Sequence, residues 1–231
     1  MLELFPEGFA EEPVGEDVEL VAFTDDAGAG RLRESFGAVA TAPVAAGWEE
    51  EWKRFHVPVV VGSLWIGPPW NEPEPGLMRV WIDPGQAFGT GAHPTTQLCL
   101  EILISLEPGS VLDVGCGSGV LAIAASALGF GPVVAIDSDE AAVEATNRNA
   151  AANSMDLEVR HVDALTGLLP DAEIVLANID LPTLAGLTPP PGCRMLATSG
   201  YYEGNQPEFS GFDHVGRNAQ AKWAADLFMR G

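Results

Sequence analysis

The chain has 231 residues, 47% of them hydrophobic, enough to bury a full core in one α/β domain with a small appendage. Its 33 acidic residues face 11 basic ones for a net charge of -22, which argues against nucleic acid as a direct partner, since phosphates would be repelled. No apolar run approaches the ~20 residues of a membrane span and the first residues lack a basic signal region, so a cytoplasmic protein with no membrane partner is expected. Cys99, Cys116 and Cys193 have no CxxC spacing and read as reduced, mostly buried thiols, and His56, His93, His161 and His214 form no zinc pattern.

The first 47 residues read as an α+β module of about one βαβ unit: a strand over Val18–Phe23, a short helix over Ala29–Phe36 and a strand over Val39–Val44. Residues 1–30 hold nine carboxylates and no Lys or Arg. Residues 48–76 read as a linker with connecting strands, and residues 77–231 as the main domain. Val57–Trp65 and Met78–Ile82 are strand-like, with a breaker-rich loop, Pro68–Gly76, between them. Gln97–Leu106 has helical apolar spacing, and Pro94, Thr95 and Thr96 suit its first turn.

Val111, Leu112 and Val114 then form a short apolar run of the kind a strand needs when both its faces are covered, and Val120–Leu128 continues at helical spacing. Gly115, Gly117 and Gly119 lie between the two. Glycines there allow a tight turn and let a ligand approach main-chain N–H groups at the positive end of the helix. The next strand, Pro132–Asp137, ends in a carboxylate placed to accept from two ribose hydroxyls, which implies an adenosine-type ligand. A dinucleotide fingerprint would set its third glycine where Val120 stands, so the spacing departs from that motif.

Glu140–Asn153 reads as a helix, Leu157–Val162 as a strand running into Asp163, and Glu173–Leu176 as a fourth strand with Asn178 just beyond its end. That end is where open α/β sheets collect ligands. Pro182 and Thr188–Gly192 leave room for a single turn of helix before a strand at Arg194–Thr198. Gly200–Asp213 offers little helix, and His214–Gln220 with Lys222–Met229 can form a terminal antiparallel hairpin.

The run Asp113-x-Gly-x-Gly-x-Gly119 resembles the glycine motif of S-adenosylmethionine-dependent methyltransferases. With Phe88-Gly-Thr-Gly-Ala-His-Pro-Thr-Thr96, Ala177-Asn-Ile-Asp180 and the segment Trp48–Pro58, the chain is similar, from about residue 48 to 180, to the PrmA family. These are bacterial enzymes that methylate amines of large-subunit ribosomal protein eleven. The resemblance implies a Rossmann-like class I methyltransferase with a mostly parallel seven-stranded sheet and a reduced N-terminal α+β recognition module. It implies S-adenosylmethionine as cofactor, held by Thr90, Gly91, Thr96, Asp113, Gly115, Gly117, Asp137 and Asn178, with Asp163 at the adenine amino group. Asn178 is the expected catalytic residue, orienting the amine. The acceptor implied is a basic ribosomal protein, which the acidic surface would attract.

Two departures from the family stand out: about one βαβ unit where relatives carry two, and Asp180 where they have an apolar residue. A cofactor-binding module without catalysis, or a methyltransferase of small-molecule amines, therefore stays open.

Overall fold

The computed structural model describes residues 10–14, 17–21, 24, 26–37, 39–41, 56–83 and 89–231. The chain divides into two units, Met1–Trp52 and Lys53–Gly231.

In the first unit, β1 (Ala10–Val14) and β2 (Asp17–Val21) pair antiparallel, with Val14 opposite Asp17, and α1 (Asp26–Phe36) follows. The expected order was strand, helix, strand. Instead, a strand precedes the expected first one, and residues 39–41 of the expected second strand have no regular structure; residues 42–44 lie outside the described residues. Ala10-Glu-Glu-Pro-Val14 gives little strand signal, because Glu and Pro are poor strand formers and Pro cannot donate to a ladder. Among the described residues β1 pairs with β2 alone, and an edge strand tolerates that loss.

The second unit is built on a seven-stranded sheet. Its strands are β6 (Val111–Val114), β7 (Val133–Asp137), β8 (Glu158–His161), β9 (Ile174–Asn178), β10 (Met195–Tyr202), β11 (Phe212–Gln220) and β12 (Trp223–Arg230). They lie in the order β11-β12-β10-β9-β6-β7-β8. The five strands from β10 to β8 are parallel, and β12 runs antiparallel between β10 and β11. The sheet is mostly parallel, as the resemblance to class I methyltransferases implies.

Helices on both faces explain the apolar strand runs. Successive residues of β9 alternate, with Ile174 and Leu176 on one face and Val175 and Ala177 on the other, all buried. The first face meets α2 (Pro94–Ser105), α3 (Val120–Ala127) and Ala150 of α4 (Glu140–Ala152); the second meets Leu184 of the one-turn helix α5 (Leu181–Gly186), with Phe209 and Phe228.

Residues 57–65, expected as one strand, form two. β3 (Val59–Val61) and β4 (Leu64–Gly67) pair antiparallel around Gly62, whose φ of 55° a β-branched neighbour would not adopt, and β5 (Met78–Trp81) adds parallel to β4. Val61, Leu64, Ile66 and Val80 pack into the same core as α2 and α3. Two nearly buried asparagines of α4 and its end tie this small sheet to the large one. The Asn153 side chain accepts from Trp81 N–H at 2.8 Å and donates to Trp81 O at 2.7 Å. Asn149 accepts from Asp83 N–H at 3.0 Å and donates to Ser118 O at 2.9 Å. Among the described residues, no helix is long and apolar enough to cross a membrane.

One buried ionic cluster closes the far edge. Asp226, with a fully buried side chain, accepts from Tyr201 Oη at 2.7 Å, His214 Nε2 at 2.7 Å, and Arg217 Nε and Nη2 at 2.8 and 2.7 Å. Burial alone would raise its carboxyl, but the bonds from Arg217, Tyr201 and His214 outweigh it and hold it below the usual carboxylate range. Asp226→Ala leaves those donors facing a cavity and should cost about 3 kcal/mol, read from urea unfolding. Because the folded value is depressed, the contribution is complete above an ordinary carboxylate pKa of ~3.9 and is lost as pH falls through the folded value. A loss below about 0.5 kcal/mol would contradict this.

Candidate active site

The site begins at the C-terminal ends of β6 and β9. These are adjacent strands whose onward connections run to opposite sides, the switch point where open α/β sheets form a crevice.

After β6 the chain turns through Gly115, Gly117 and Gly119, at φ 71°, 54° and 84°, before α3 starts. A Cβ on Gly115 would run into Cγ2 of Ile179, and one on Gly119 would come within 2.8 Å of Thr146 Cγ2, so both the backbone angle and the space require glycine. The turn is held from three sides. Gly115 and Cys116 N–H groups donate to Ile136 O at 2.9 and 3.0 Å, Thr146 Oγ1 donates to Gly117 O at 3.0 Å, and Gly117 N–H donates to Asp137 Oδ2 at 2.9 Å. Ser118 Oγ also donates to Gly89 O.

Asp137 stands at the end of β7, and its Oδ1 accepts from Asp139 N–H at 3.0 Å. A carboxylate has about four acceptor positions, so two remain for a ligand diol. At the end of β9, Asn178 Nδ2 donates to Oγ1 of the buried Thr96 at 3.2 Å, linking the strand end to the first turn of α2. That helix is capped by His93, whose Nδ1 accepts from Thr95 N–H at 3.3 Å; burial pushes the imidazole down, in keeping with a neutral accepting ring. The histidine is the cap, and Pro94, Thr95 and Thr96 form the first turn as expected.

A cavity of about 290 Å³ opens over these strand ends. Of the residues expected to bind cofactor, Thr96, Gly115, Gly117, Asp137, Asp163 and Asn178 line it. Thr90, Gly91 and Asp113 do not: Gly91 packs on Ile66, and Phe88 lies outside the described residues. Asp163 is exposed at one end, with its two carboxylate oxygens already accepting from Leu165 N–H and the Thr166 hydroxyl, each at 2.9 Å; these bonds, the first above all, lower its pKa. Sequence reasoning passed over Cys116, Ile179 and Thr183, which also line the cavity. For Thr183, a signal was present: Asp180-x-x-Thr is a helix-capping pattern.

Asp113 lies beneath the turn, 1% exposed, where Oδ2 accepts from Ala122 N–H at 3.1 Å and Oδ1 is buried without a partner. Burial pushes its carboxyl up to about 7, and the charge of Asp137 adds to this against the Ala122 bond. It acts on the cavity through the helix it anchors.

The cavity crosses the ends of β8, β7, β6 and β9, from Asp163 to Asn178. Three inter-strand steps make a trough about 14 Å long, the scale of a nucleoside joined to an amino-acid chain. With acceptors at Asp137 and a glycine turn midway, the residues fit an adenosine-bearing cofactor such as S-adenosylmethionine.

This strand order, with an antiparallel strand inserted next to the edge and a glycine turn after the middle one of the five parallel strands, defines a Rossmann-like fold of the class I methyltransferase type. Residues 22–202 match the family model for ribosomal protein L11 methyltransferase (PrmA), and the chain belongs to that family. A ribosomal protein L11 methyltransferase from Symbiobacterium thermophilum is 39% identical over 203 residues, covering 80% of this chain and 66% of that one. One from Vibrio cholerae is 46% identical over 167 residues, covering 66% and 55%. A crystal structure of ribosomal protein L11 methylase from Lactobacillus delbrueckii subsp. bulgaricus superposes with a TM-score of 0.64 at 26% identity, over 75% of this chain and 98% of that one. The chain spans between about half and two thirds of the length of such full-length relatives.

The raised Asp113 carboxyl has a thermodynamic signature. Between an ordinary carboxylate pKa and about 7 the unfolded chain releases this proton while the folded one keeps it, so stability falls as pH rises. Asp113→Asn retains an acceptor for Ala122 and removes the titration. Urea unfolding between about pH 5.5 and 8 should therefore show the parent losing stability relative to the variant up to about pH 7 and tracking it above. Parallel curves throughout would contradict a protonated Asp113.

Proposed function

We propose that this chain transfers methyl groups from S-adenosylmethionine to amines, on lysine side chains or an N-terminus, of a basic large-subunit ribosomal protein of the L11 type. The observation that carries this is the cavity at the switch point, with the glycine turn, Asp137 and the Thr96–Asn178 pair around it, in a chain of the L11 methyltransferase family.

In this reading Asp137 accepts from the ribose hydroxyls, Gly115 and Gly117 bring main-chain groups against the ligand, and Asp163 lies at the adenine end. Thr96 and Asn178 take the methionine end, with Thr90 and Gly91 on the loop before α2. When bound, the cofactor supplies a methyl carbon on a cationic sulfur, so a C–N bond forms as the C–S bond breaks and a neutral thioether leaves. The protein's task is alignment. Asn178, fixed on one side by Thr96, directs its amide oxygen at the acceptor nitrogen once the ammonium has lost its proton to water. Such positioning can be worth several kcal/mol, roughly 10³-fold or more in rate.

Residues 1–47 are read as a recognition module joined to the catalytic domain, 77–231, through 48–76. The net charge of -22 favours a basic protein acceptor over nucleic acid. An acceptor of that kind is met in the cytoplasm, where ribosomal proteins are made. A surface attraction of this kind is screened at physiological salt, so acceptor affinity should fall as salt rises.

Incubating the protein with S-adenosylmethionine and purified L11, then weighing intact L11, tests the reading. It predicts whole methyl increments on lysine or N-terminal nitrogens. Cofactor binding without any mass gain would instead leave a binding module or a small-molecule enzyme.

A further inference from the structure

Asp180 lines the cavity two residues beyond Asn178. It is the N-cap of α5, with Oδ1 accepting from Thr183 N–H at 3.0 Å and Oδ2 from Thr183 Oγ1 at 2.7 Å. Both oxygens are thereby fixed in direction while the residue stays exposed. The Thr183 hydroxyl, followed by its N–H, holds the carboxyl below its usual range, so the group is an anion near neutrality and a poor base there.

We propose that Asp180 is the specificity-determining residue for the acceptor, selecting a cationic amine by holding its ammonium at the cavity mouth beside Asn178. The inference rests on the methyltransferase reading of this cavity.

Capping alone does not need a charge, since Asn and Ser cap helices about as well as Asp. A fixed carboxylate at the entrance does something those residues cannot: it favours a protonated amine over a neutral or acidic group. Among the described residues, the other titratable groups lining the cavity are Asp137, Asp163 and Cys116, and none of the lining residues is a Lys, Arg or His. The Cys116 thiol is pushed up by burial and stays neutral, while Asp163 lies beyond β8, at the opposite end of the trough from Asn178. The field at the mouth is thus uniformly negative, with Asp180 closest in sequence to the acceptor-orienting Asn178.

Binding by charge has a kinetic cost. An anion beside the ammonium stabilises the protonated form, and the methyl can move only to the neutral amine, whose free pKa is ~10.4 for lysine. The proton leaves to solvent, the nitrogen lone pair forms the new C–N bond, and Asp180 ends unchanged. A tighter KM is therefore linked to a kcat that needs higher pH.

The test compares the parent with Asp180→Asn and Asp180→Ser, both cap-competent, using L11 as acceptor across pH 7 to 9.5, with calorimetry of S-adenosylhomocysteine alongside. Cofactor affinity should be unchanged in both variants. KM for L11 should rise about three- to fivefold, the scale of a partly exposed ion pair. The rising limb of kcat against pH should move to lower pH in both. A purely structural role would leave KM and the limb in place, and that result overturns the proposal while the methyltransferase reading stands. Weakened cofactor binding would assign Asp180 to the cofactor and likewise overturn it. A parent that binds cofactor but methylates no amine of L11 overturns both.

Discussion

The hydrogen bond from Gly117 N–H to Asp137 Oδ2 is the joint on which the site depends. It links the turn leaving β6 to the end of β7, so two strands that are neighbours in the sheet present their ends at a fixed relative height. The turn can take that shape only because three of its residues tolerate positive φ, and because Ile179 and Thr146 fill the space that side chains at 115 and 119 would need. Asp137 thus does two things with one carboxylate: it braces the turn and keeps acceptor capacity for a ligand diol. Around this joint the rest follows in layers. Asp113 anchors α3 from below, Asn149 reaches Ser118 from α4, and Thr96 reaches Asn178 from α2. Each bond comes from a different helix, so the trough is defined by elements that the buried sheet holds in place.

Most of the central sheet was legible because its strands are apolar on both faces. Val111–Val114, Val133–Asp137 and Ile174–Asn178 could be read from composition alone, since a covered parallel strand has no polar face to confuse the pattern. Legibility failed where the local signal is weak or broken. Ala10–Val14 has Glu, Glu and Pro in five residues, and Val57–Trp65 hid a reversal because Gly62 and Ser63 sit inside an otherwise apolar run. Asn149 and Asn153 are polar residues of a helix that was legible only as a helix, yet both are nearly buried and satisfy backbone groups 66 and 72 residues away, a long-range pairing that no local pattern encodes.

For the site, the motif residues that the turn geometry itself demands came out where expected. Gly115 and Gly117 share one tight turn, and the parallel pairing of β6 with β7 brings Asp137 to it, where the Gly117 N–H bonds its carboxylate at 2.9 Å. Thr90 and Gly91 are set by a loop, and the cavity does not include them. Asp113 shows the limit of reading a role from a motif position: the residue is where the motif needs it, but its side chain faces Ala122 beneath the turn. Asp180 lies on the cavity itself, because as N-cap of α5 it stands only two residues beyond the end of β9.

The central claim is that Asp137 and the glycine turn hold the adenosine end of S-adenosylmethionine, and calorimetric titration of the parent and of Asp137→Ala measures this directly. With equal thermal melts as a check on folding, the variant should lose about 1 to 3 kcal/mol of binding, roughly 5- to 150-fold, as two hydroxyls lose a charged acceptor in a confined site. An unchanged affinity in the variant, or tight binding of NAD by the parent, would contradict it.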